Sequence, residues 1–168
     1  YRQADRLLRH TGSFWTFLNW RTLPVVMRAA ADAGIPIGSL AAAWDKEWIG
    51  PGGSAGLRPS YELIALLARP GYAAPDRGVA DVFRHKVGGH KPDGHPAQKP
   101  VGIVRRVLEV AAPPAGGLVL DPFLGSGTTL LAARDLGLRA VGIEAEERWC
   151  EVAASRLAQT DLFADLDA

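Results

Sequence analysis

The chain has 168 residues, of which 48% are apolar and 22% charged, with a formal net charge of +1. This composition is typical of one globular domain and excludes a disordered chain, and a charge so near zero leaves only local arguments for nucleic-acid binding. The single Cys150 excludes an intramolecular disulfide. No apolar run reaches the roughly 18–20 residues that a bilayer span needs, and the sequence shows no signal-peptide pattern at its start.

The first half of the sequence predicts helices and strands with loops between them. The predicted elements are a helix ending near His10, a strand over 13–20, a helix from Thr22 to Ala33, and strands over Ile37–Trp44 and Glu62–Ala68. The run 13–20 is apolar on both faces, which is typical of a buried parallel strand. Gly34 predicts a helix end, and the glycine-rich run 50–56 predicts a flexible loop. Periodicity alone does not separate the strand over 62–68 from a short buried helix. Dense glycine, proline and histidine predict no regular element over 70–99.

The second half predicts a βαβ unit that follows a helix. The apolar positions of that helix recur at helical spacing up to Ala111. Pro100 is well placed at the start of the helix, where proline is favoured. The remaining predicted elements are a strand over 117–121, a helix over 127–136 ended by Gly137, a strand over 139–143 and a helix over 146–157 that buries Trp149, Val152, Ala153 and Leu157. Strand, glycine turn, helix, strand and acid follow one another in the order of a βαβ unit.

The most informative stretch is the glycine turn between the predicted strand at 117–121 and the helix that follows it. Its sequence is Asp-Pro-Phe-Leu-Gly-Ser-Gly-Thr-Thr over 121–129. Glycines in such a turn let the backbone approach a ligand closely. Glu144 ends the next strand, 17 positions after Gly127, where a carboxylate can accept hydrogen bonds from two ribose hydroxyls. The pair indicates an adenosine-containing ligand, with an ordinary glycine turn as the alternative.

Three cofactor classes use turns of this kind, and the residues distinguish them. A phosphate-binding loop needs a lysine before its hydroxyl residue, and the Gly127-Thr128 pair has none. A dinucleotide fingerprint needs a third glycine near position 130, where Leu130 stands. Asp121, at the strand end, can hold the ammonium of an amino-acid moiety, which S-adenosylmethionine (SAM) has and NAD lacks. The pattern therefore favours SAM.

Here the sequence resembles the DNA methyltransferases that modify the amino groups of adenine or cytosine. The stretch 121–129 is similar to the family's SAM motif, and His-Pro-Ala-Gln-Lys-Pro over 95–100 is similar to its His-Pro-Thr-Gln-Lys-Pro box, departing only at Ala97. In the permuted, or beta-group, branch of the family this box precedes the SAM motif, as it does here. Weaker similarities lie at Asn-Trp-Arg over 19–21, Trp-Asp-Lys over 44–46, Gly-Ile-Glu over 142–144 and Ala-Ser-Arg-Leu over 154–157.

The resemblance implies a fold, an activity and a set of site residues. The implied fold is an α/β, Rossmann-like SAM-dependent methyltransferase sheet with helices on both faces, and the implied activity is methyl transfer from SAM to an exocyclic amine of double-stranded DNA, as in restriction–modification. The implied cofactor-binding residues are Lys99, Asp121, Phe123, Gly125, Ser126, Gly127, Thr128 and Glu144. Among these, Lys99 and Asp121 are expected at the methionine end and Glu144 at the ribose. Trp149 either flanks the adenine or belongs to the core.

The family's catalytic motif does not occur in this sequence. That motif is Pro-Pro preceded by Asp, Asn or Ser and followed by an aromatic, against which the flipped base stacks. Pro113-Pro114 lies between Ala112 and Ala115, which offer neither an acceptor nor a ring. We therefore expect no catalytic residue here, and a sheet that is incomplete where the motif's strand belongs. Since Met27 is the only methionine and Tyr1 comes first, we expect a piece of a longer chain, whose Asp-Pro-Pro-Tyr motif belongs upstream of the strand over 13–20, near where this sequence begins. A non-catalytic SAM- or DNA-binding remnant or regulatory subunit is the alternative.

Within one predicted domain, we expect four parts. Residues 1–70 would hold the catalytic-half strands and helices, 71–100 a basic loop with the box, 101–158 the SAM-binding βαβ unit and 159–168 a tail. In the basic loop, Arg84, Lys86 and Lys91 are candidates for contacting DNA phosphates. His85, His90 and His95 recur every five residues, but without a cysteine nearby we expect no metal site.

The tail suggests a partner. Gln159, Leu162 and Phe163 resemble the short peptide by which bacterial replication proteins dock on the sliding clamp, although a frayed helix end that packs back on the domain explains them too. Because branch members often dimerise, a homodimer or a complementing chain is expected as well. The expected location is the bacterial cytoplasm, at the nucleoid or in a phage-infected cell, with no membrane partner.

Overall fold

The computed structural model describes most of the chain. The described residues are 2–35, 37–50, 56–68, 72–74, 76, 78–87, 94–111, 113 and 117–159, with the backbone alone described for 37–41. The loop predicted over 50–56 lies largely outside these residues. The chain divides into two compact units. Unit 1 comprises Tyr1–Val87 and Val110–Ala112, and unit 2 comprises Gly88–Glu109 and Pro113–Ala168.

Unit 1 is built on a four-stranded sheet. Its elements are α1 (Arg2–Leu7), β1 (Ser13–Leu18), α2 (Leu23–Asp32), β2 (Ile37–Asp45), β3 (Tyr61–Ala68) and β4 (Val82–Arg84). The strand order is β1-β3-β2-β4, with β3 antiparallel to both of its neighbours and β4 parallel to β2. Gly34, with φ of 73°, follows α2 as the sequence predicts.

The core of unit 1 surrounds β3, whose last six residues, 63–68, are all buried. Leu63, Ala65 and Leu67 share one face, because side chains alternate along a strand, and they join a cluster with Leu18 and Ala30. Phe14, Leu23 and Val26 pack against this cluster, so the apolar stripe of α2 covers that face. Residues 62–68 are thus a strand rather than a short helix.

Two predictions for unit 1 are wrong. The stretch expected to be a buried parallel strand is β1, which pairs antiparallel with β3 and is only half-buried apart from Leu18. The reason is that β3 returns directly after β2 and so runs against the other strands, which a composition pattern does not reveal. The structure also contains β4 within the stretch 70–99, for which the sequence predicts no element. A strand of three residues is too short to leave a periodic signal.

Unit 2 contains the βαβ unit and the helix that precedes it. Its elements are α3 (Val101–Ala111), whose last two residues are counted with unit 1, β5 (Leu118–Asp121), α4 (Thr128–Asp135), β6 (Arg139–Gly142) and α5 (Glu147–Ala158). β5 and β6 pair in parallel, from Leu118 opposite Arg139 to Asp121 opposite Gly142. These bounds confirm the predicted elements. In α5, Ala153 alone of the four predicted core residues is fully buried, whereas Trp149, Val152 and Leu157 are half-buried.

One face of the β5–β6 pair carries apolar side chains that face solvent. Leu118, Leu120, Val141 and Ile143 are between 39% and 58% exposed. Their opposite-face neighbours Val119 and Ala140 are half-buried, as expected from alternation along the strands. Among the described strands none joins the two sheets, and the interrupted sheet stays a prediction.

Candidate cofactor-binding site

The site begins at Asp121, the last residue of β5. One carboxylate oxygen accepts a hydrogen bond from the Phe123 N–H at 3.0 Å, and the other accepts one from the Thr129 hydroxyl at 2.5 Å. The Asp121 carbonyl accepts the Ile143 N–H at 2.8 Å, which extends the β5–β6 pairing by one residue. The side chain therefore ties the start of the turn to the first turn of α4, and each oxygen keeps an acceptor position.

Two glycines of the turn adopt backbone conformations that other residues rarely adopt. Gly125 and Gly127 have φ of 54° and 86°, in the left-handed region. A Cβ at Gly127 would lie 2.8 Å from the Cβ of Ala153 on α5, and one at Gly125 would lie 3.0 Å from Nε2 of His95. Both the dihedral angle and the space therefore require glycine at position 127.

Glu144 closes the other side of the turn, two residues beyond β6. Its Oε2 accepts the Gly125 N–H at 2.8 Å, and its Oε1 accepts the N–H groups of Ala145 and Glu146 at 2.7 and 3.0 Å. The N–H groups of Glu146 and then Gly125 contribute most to holding the pKa of Glu144 below its ordinary value. The carboxylate is therefore ionised at neutral pH. Since each oxygen accepts about two hydrogen bonds, Oε2 retains one acceptor position.

The His-Pro-Ala-Gln-Lys-Pro box lies in the same unit as the turn. The His95 ring contacts Trp149 edge-on, with 4.4 Å between centroids, and its Nδ1 accepts the Ala97 N–H at 3.2 Å. The Lys99 carbonyl accepts a hydrogen bond from the Thr128 hydroxyl at 3.2 Å. Two boxes that are 21 or more residues apart in the sequence thus meet at the glycine turn.

The predicted site residues differ in exposure. Phe123 is 87% exposed, whereas Ser126 and Thr128 are buried at 2% and 7% exposure. The Ser126 hydroxyl lies 3.1 Å from Nη1 of Arg156 on α5, and the Ser126 carbonyl lies 2.6 Å from the same nitrogen. Sequence reasoning gives Arg156 no role. The partners are 30 positions apart, so no local pattern connects them.

Comparison with known proteins shows the family to which this chain belongs. A model for N6 and N4 methyltransferases, described as DNA methylase, matches residues 1–155. The chain belongs to this DNA methylase family. The resemblance drawn from the SAM motif and the box is thereby confirmed.

Relatives of this DNA methylase family member include type II methyltransferases and a putative methylase. It is 32% identical over 154 residues to the putative methylase YubD of Escherichia coli, which covers 91% of this chain and 65% of that protein. It is 51% identical over 63 residues to the type II methyltransferase M.ScaI of Streptomyces caespitosus, over 38% of this chain and 20% of the relative. The chain thus spans between a fifth and about two thirds of the length of these relatives.

Solved structures show the same fold. The M1.HpyAVI–SAM complex superposes with a TM-score of 0.81 at 22% identity, over 94% of this chain and 80% of that one. The PvuII DNA methyltransferase, described as cytosine-N4-specific, gives 0.73 at 15% identity, over 92% and 67% of the two chains. The α/β methyltransferase fold expected from the sequence is confirmed.

The candidate DNA-contacting residues of this DNA methylase family member lie in unit 1 or outside the described residues. Arg84 and Lys86 belong to unit 1 and are exposed, at β4 and just beyond it, whereas Lys91 is not among the described residues. His90 is also outside them, and no group of three potential ligands that could hold a metal ion occurs within the described part of the chain. No described helix is both long and apolar enough to cross a bilayer.

Proposed function

We propose that unit 2 binds SAM and that the chain is the cofactor-binding part of an enzyme that methylates an exocyclic amine of adenine or cytosine in double-stranded DNA. The observation that carries the proposal is the turn at 121–129, closed on one side by Glu144 and on the other by the box. Family membership supports the DNA substrate, and the M1.HpyAVI neighbour is a SAM complex.

The residues present fit this cofactor. The ionised Glu144 carboxylate keeps an acceptor position for a ribose hydroxyl, and its Oε2 lies beside the backbone of Gly125. Asp121 keeps acceptor positions for an ammonium group, with Lys99 assigned to the same end. When bound, SAM supplies a methyl group on a positively charged sulfur. The chain's own part is to bind and orient it, and positioning of two reactants contributes much of such catalysis.

Different site residues contribute through different groups. Phe123, with its exposed ring, is assigned to contact the cofactor directly. Gly125 and Gly127 contribute backbone. The hydroxyls of Ser126 and Thr128 are turned toward Arg156 and Lys99, so these two residues support the shape of the turn rather than contact the ligand through their side chains. Trp149, half-buried against His95, is assigned to the adenine end.

Calorimetric titration with SAM tests the assignment. Wild-type chain is expected to bind in the micromolar range, and Glu144→Ala and Gly127→Leu are each expected to abolish binding. Glu151→Ala is the matched control, because Glu151 is an exposed acid on α5, and it should bind as wild type. If the folded wild-type chain shows no heat of SAM binding, the proposal that this chain alone binds SAM is wrong.

The exposed apolar face of β5–β6 supports the further proposal that a second copy or a complementing chain covers unit 2. Burial of Leu118, Leu120, Val141 and Ile143 would remove apolar surface from water, which favours association. Sedimentation velocity over a range of concentrations should show a concentration-dependent dimer that Leu120→Asp weakens. A monomer at all concentrations, with or without an added segment bearing the Asp-Pro-Pro-Tyr motif, would contradict this.

DNA binding is assigned to the exposed cations of unit 1, Arg84 and Lys86, together with Lys91. Each side chain that binds a phosphate contributes about one unit to the slope of log affinity against log salt concentration, so removing two should reduce that slope by about two units. Titration of a duplex at several salt concentrations, for wild type and for Arg84→Ala with Lys86→Ala, measures this. An unchanged slope would place the DNA interface elsewhere.

The site of action proposed is the bacterial cytoplasm.

The tail is proposed to dock on the sliding clamp through Gln159, Leu162 and Phe163. Arg134 donates hydrogen bonds to the carbonyls of Leu157 and Gln159 at 3.3 and 3.4 Å, so the segment leaves α5 from a fixed point. Leu162 and Phe163 lie outside the described residues. Pull-down on immobilised clamp should recover wild type and lose Phe163→Ala, and equal recovery of the two would remove the proposal.

A further inference from the structure

α5 contacts the glycine turn at two points, one steric and one polar. Ala153 is buried against Gly127, where the space admits no Cβ. Three residues later, Arg156 extends its guanidinium to the residue before Gly127. Since residues three apart share one face of a helix, both contacts come from the same face of α5.

The guanidinium of Arg156 has a defined set of acceptors in the turn. Nη1 lies 2.6 Å from the Ser126 carbonyl, 3.1 Å from the Ser126 hydroxyl and 3.5 Å from the Thr128 hydroxyl. The two shorter distances match the two hydrogens of that nitrogen. The Thr128 hydroxyl in turn donates to the Lys99 carbonyl, so one chain of contacts joins α5, the turn and the box.

These contacts fix the orientation of one peptide group. The Ser126 carbonyl points to Arg156, and the Gly127 N–H of the same peptide donates to the Leu124 carbonyl at 3.1 Å. Because Gly127 lacks a Cβ, this peptide could rotate at low steric cost. A hydrogen bond from a charged donor opposes that rotation more strongly than one from a neutral donor.

We propose that Arg156 is a positioning residue, which holds the Ser126–Gly127 peptide in the orientation that the turn presents to the cofactor. The proposal rests on the proposed function for its cofactor, but its effect on the turn exists without ligand. Arg156 does not contact the cofactor in this role; it acts through the backbone of the turn.

The first test measures the turn in the absence of any ligand. Hydrogen–deuterium exchange of the Gly127 amide is expected to rise about tenfold or more in Arg156→Ala, because loss of one charge-assisted hydrogen bond is worth at least that factor. Arg139→Ala, an exposed arginine of β6 in the same unit, is the matched control and should exchange as wild type. Amides of α3 should be unaffected in both variants. Unchanged exchange at Gly127 in a folded Arg156→Ala protein would overturn the proposal.

The second test measures the cofactor and uses SAM as the probe. Arg156→Ala should weaken the Kd for SAM about tenfold, and added methylguanidinium at low millimolar concentration should restore part of the loss in this variant only. Arg156→Lys, which keeps the charge with a single ammonium, should have a Kd for SAM between those of wild type and Arg156→Ala. If wild type binds SAM and Arg156→Ala binds it equally well, the positioning role is wrong.

The two tests separate the possible failures. If wild type does not bind SAM at all, the proposed function fails for this chain, while the exchange experiment still decides whether Arg156 holds the turn. If Arg156→Ala does not fold, Arg156→Lys carries both measurements, and faster Gly127 exchange with intact α3 protection supports the role. Rescue by methylguanidinium distinguishes positioning from general stabilisation, because it restores a donor to the turn and not the side-chain packing.

Discussion

β3 and β5 are both apolar strands, and the structure gives them different surroundings. β3 has a described neighbour on each side and six consecutive buried residues. β5 has one described neighbour, β6, and its alternate residues Leu118 and Leu120 are 58% and 39% exposed. Unit 1 therefore has a core that buries its central strand on both faces, whereas the sheet of unit 2 leaves one apolar face in water and depends on the turn, α4 and α5 for its shape.

The largest expected loss of stability comes from shortening a buried side chain on β3, compared with the same change on β5. Leu67→Ala, in a residue with no exposed surface, should lower the free energy of unfolding by about 3–5 kcal/mol, since it removes a fully buried side chain and leaves a cavity. Leu120→Ala is the matched change on β5 and should cost about 1 kcal/mol or less. Urea denaturation followed by circular dichroism measures both. Equal losses would mean that the two strands are equally buried in solution.

The next effect tests the turn on which unit 2 depends. Gly127→Ala should cost about 2–4 kcal/mol, because it adds left-handed strain to an overlap with Ala153. Gly137 has φ of 65° but nothing within 4 Å of its would-be Cβ, so Gly137→Ala should cost the strain alone, about 1–2 kcal/mol. Thermal and urea unfolding compare them. A cost that does not differ between the two glycines would show that the turn yields to accommodate a side chain.

The same contrast explains how far the sequence predicts this molecule. Unit 2 is predicted nearly element by element, because its signals are local: Pro100 directly precedes α3, Gly137 follows α4, and the turn lies between a strand and a helix. Unit 1 is predicted less well. The pairing of β1 with β3 joins residues about 50 positions apart, and an apolar run carries no information about the direction of its neighbour.

The candidate site divides in the same way. The predicted glycines and Glu144 meet at one turn, as the spacing of strand, turn and acid suggests. The contacts of Arg156 with Ser126 and of His95 with Gly125 depend on tertiary packing, which spacing alone does not encode. Their residue types are visible in the sequence, but their partners are not.

A smaller loss of stability is expected from a buried hydrogen bond in unit 1. The indole N–H of Trp44 donates to the His85 carbonyl at 2.7 Å, from a side chain that is almost fully buried. Trp44→Phe should cost about 1–2 kcal/mol, because it leaves that carbonyl without this donor. Trp20→Phe, at an exposed position, is the control and should be nearly neutral. Urea denaturation distinguishes them, and a neutral Trp44→Phe would show that water replaces the indole.

The smallest expected effect concerns pH and Glu144. The pKa of Glu144 is lowered in the folded chain, so its stabilising contribution is fully present above the unfolded pKa of about 4.3 and is lost as the pH falls through the lower folded value. The stability difference between wild type and Glu144→Gln should therefore be constant from pH 7 to about pH 5 and shrink below pH 4. Unfolding at a series of pH values measures it, with Glu151→Gln as control. A difference that grows on acidification would contradict the assigned direction.

The position of Cys150 has a practical consequence for following this site in solution. It is the single cysteine of the chain, its thiol is exposed, and its Sγ lies 3.8 Å from the Glu144 carbonyl. A thiol-reactive fluorophore would therefore attach at one place only, in the first turn of α5 and close to the backbone of the residue assigned to the ribose. Emission from that dye would report on ligand occupancy without any cysteine having to be removed or introduced.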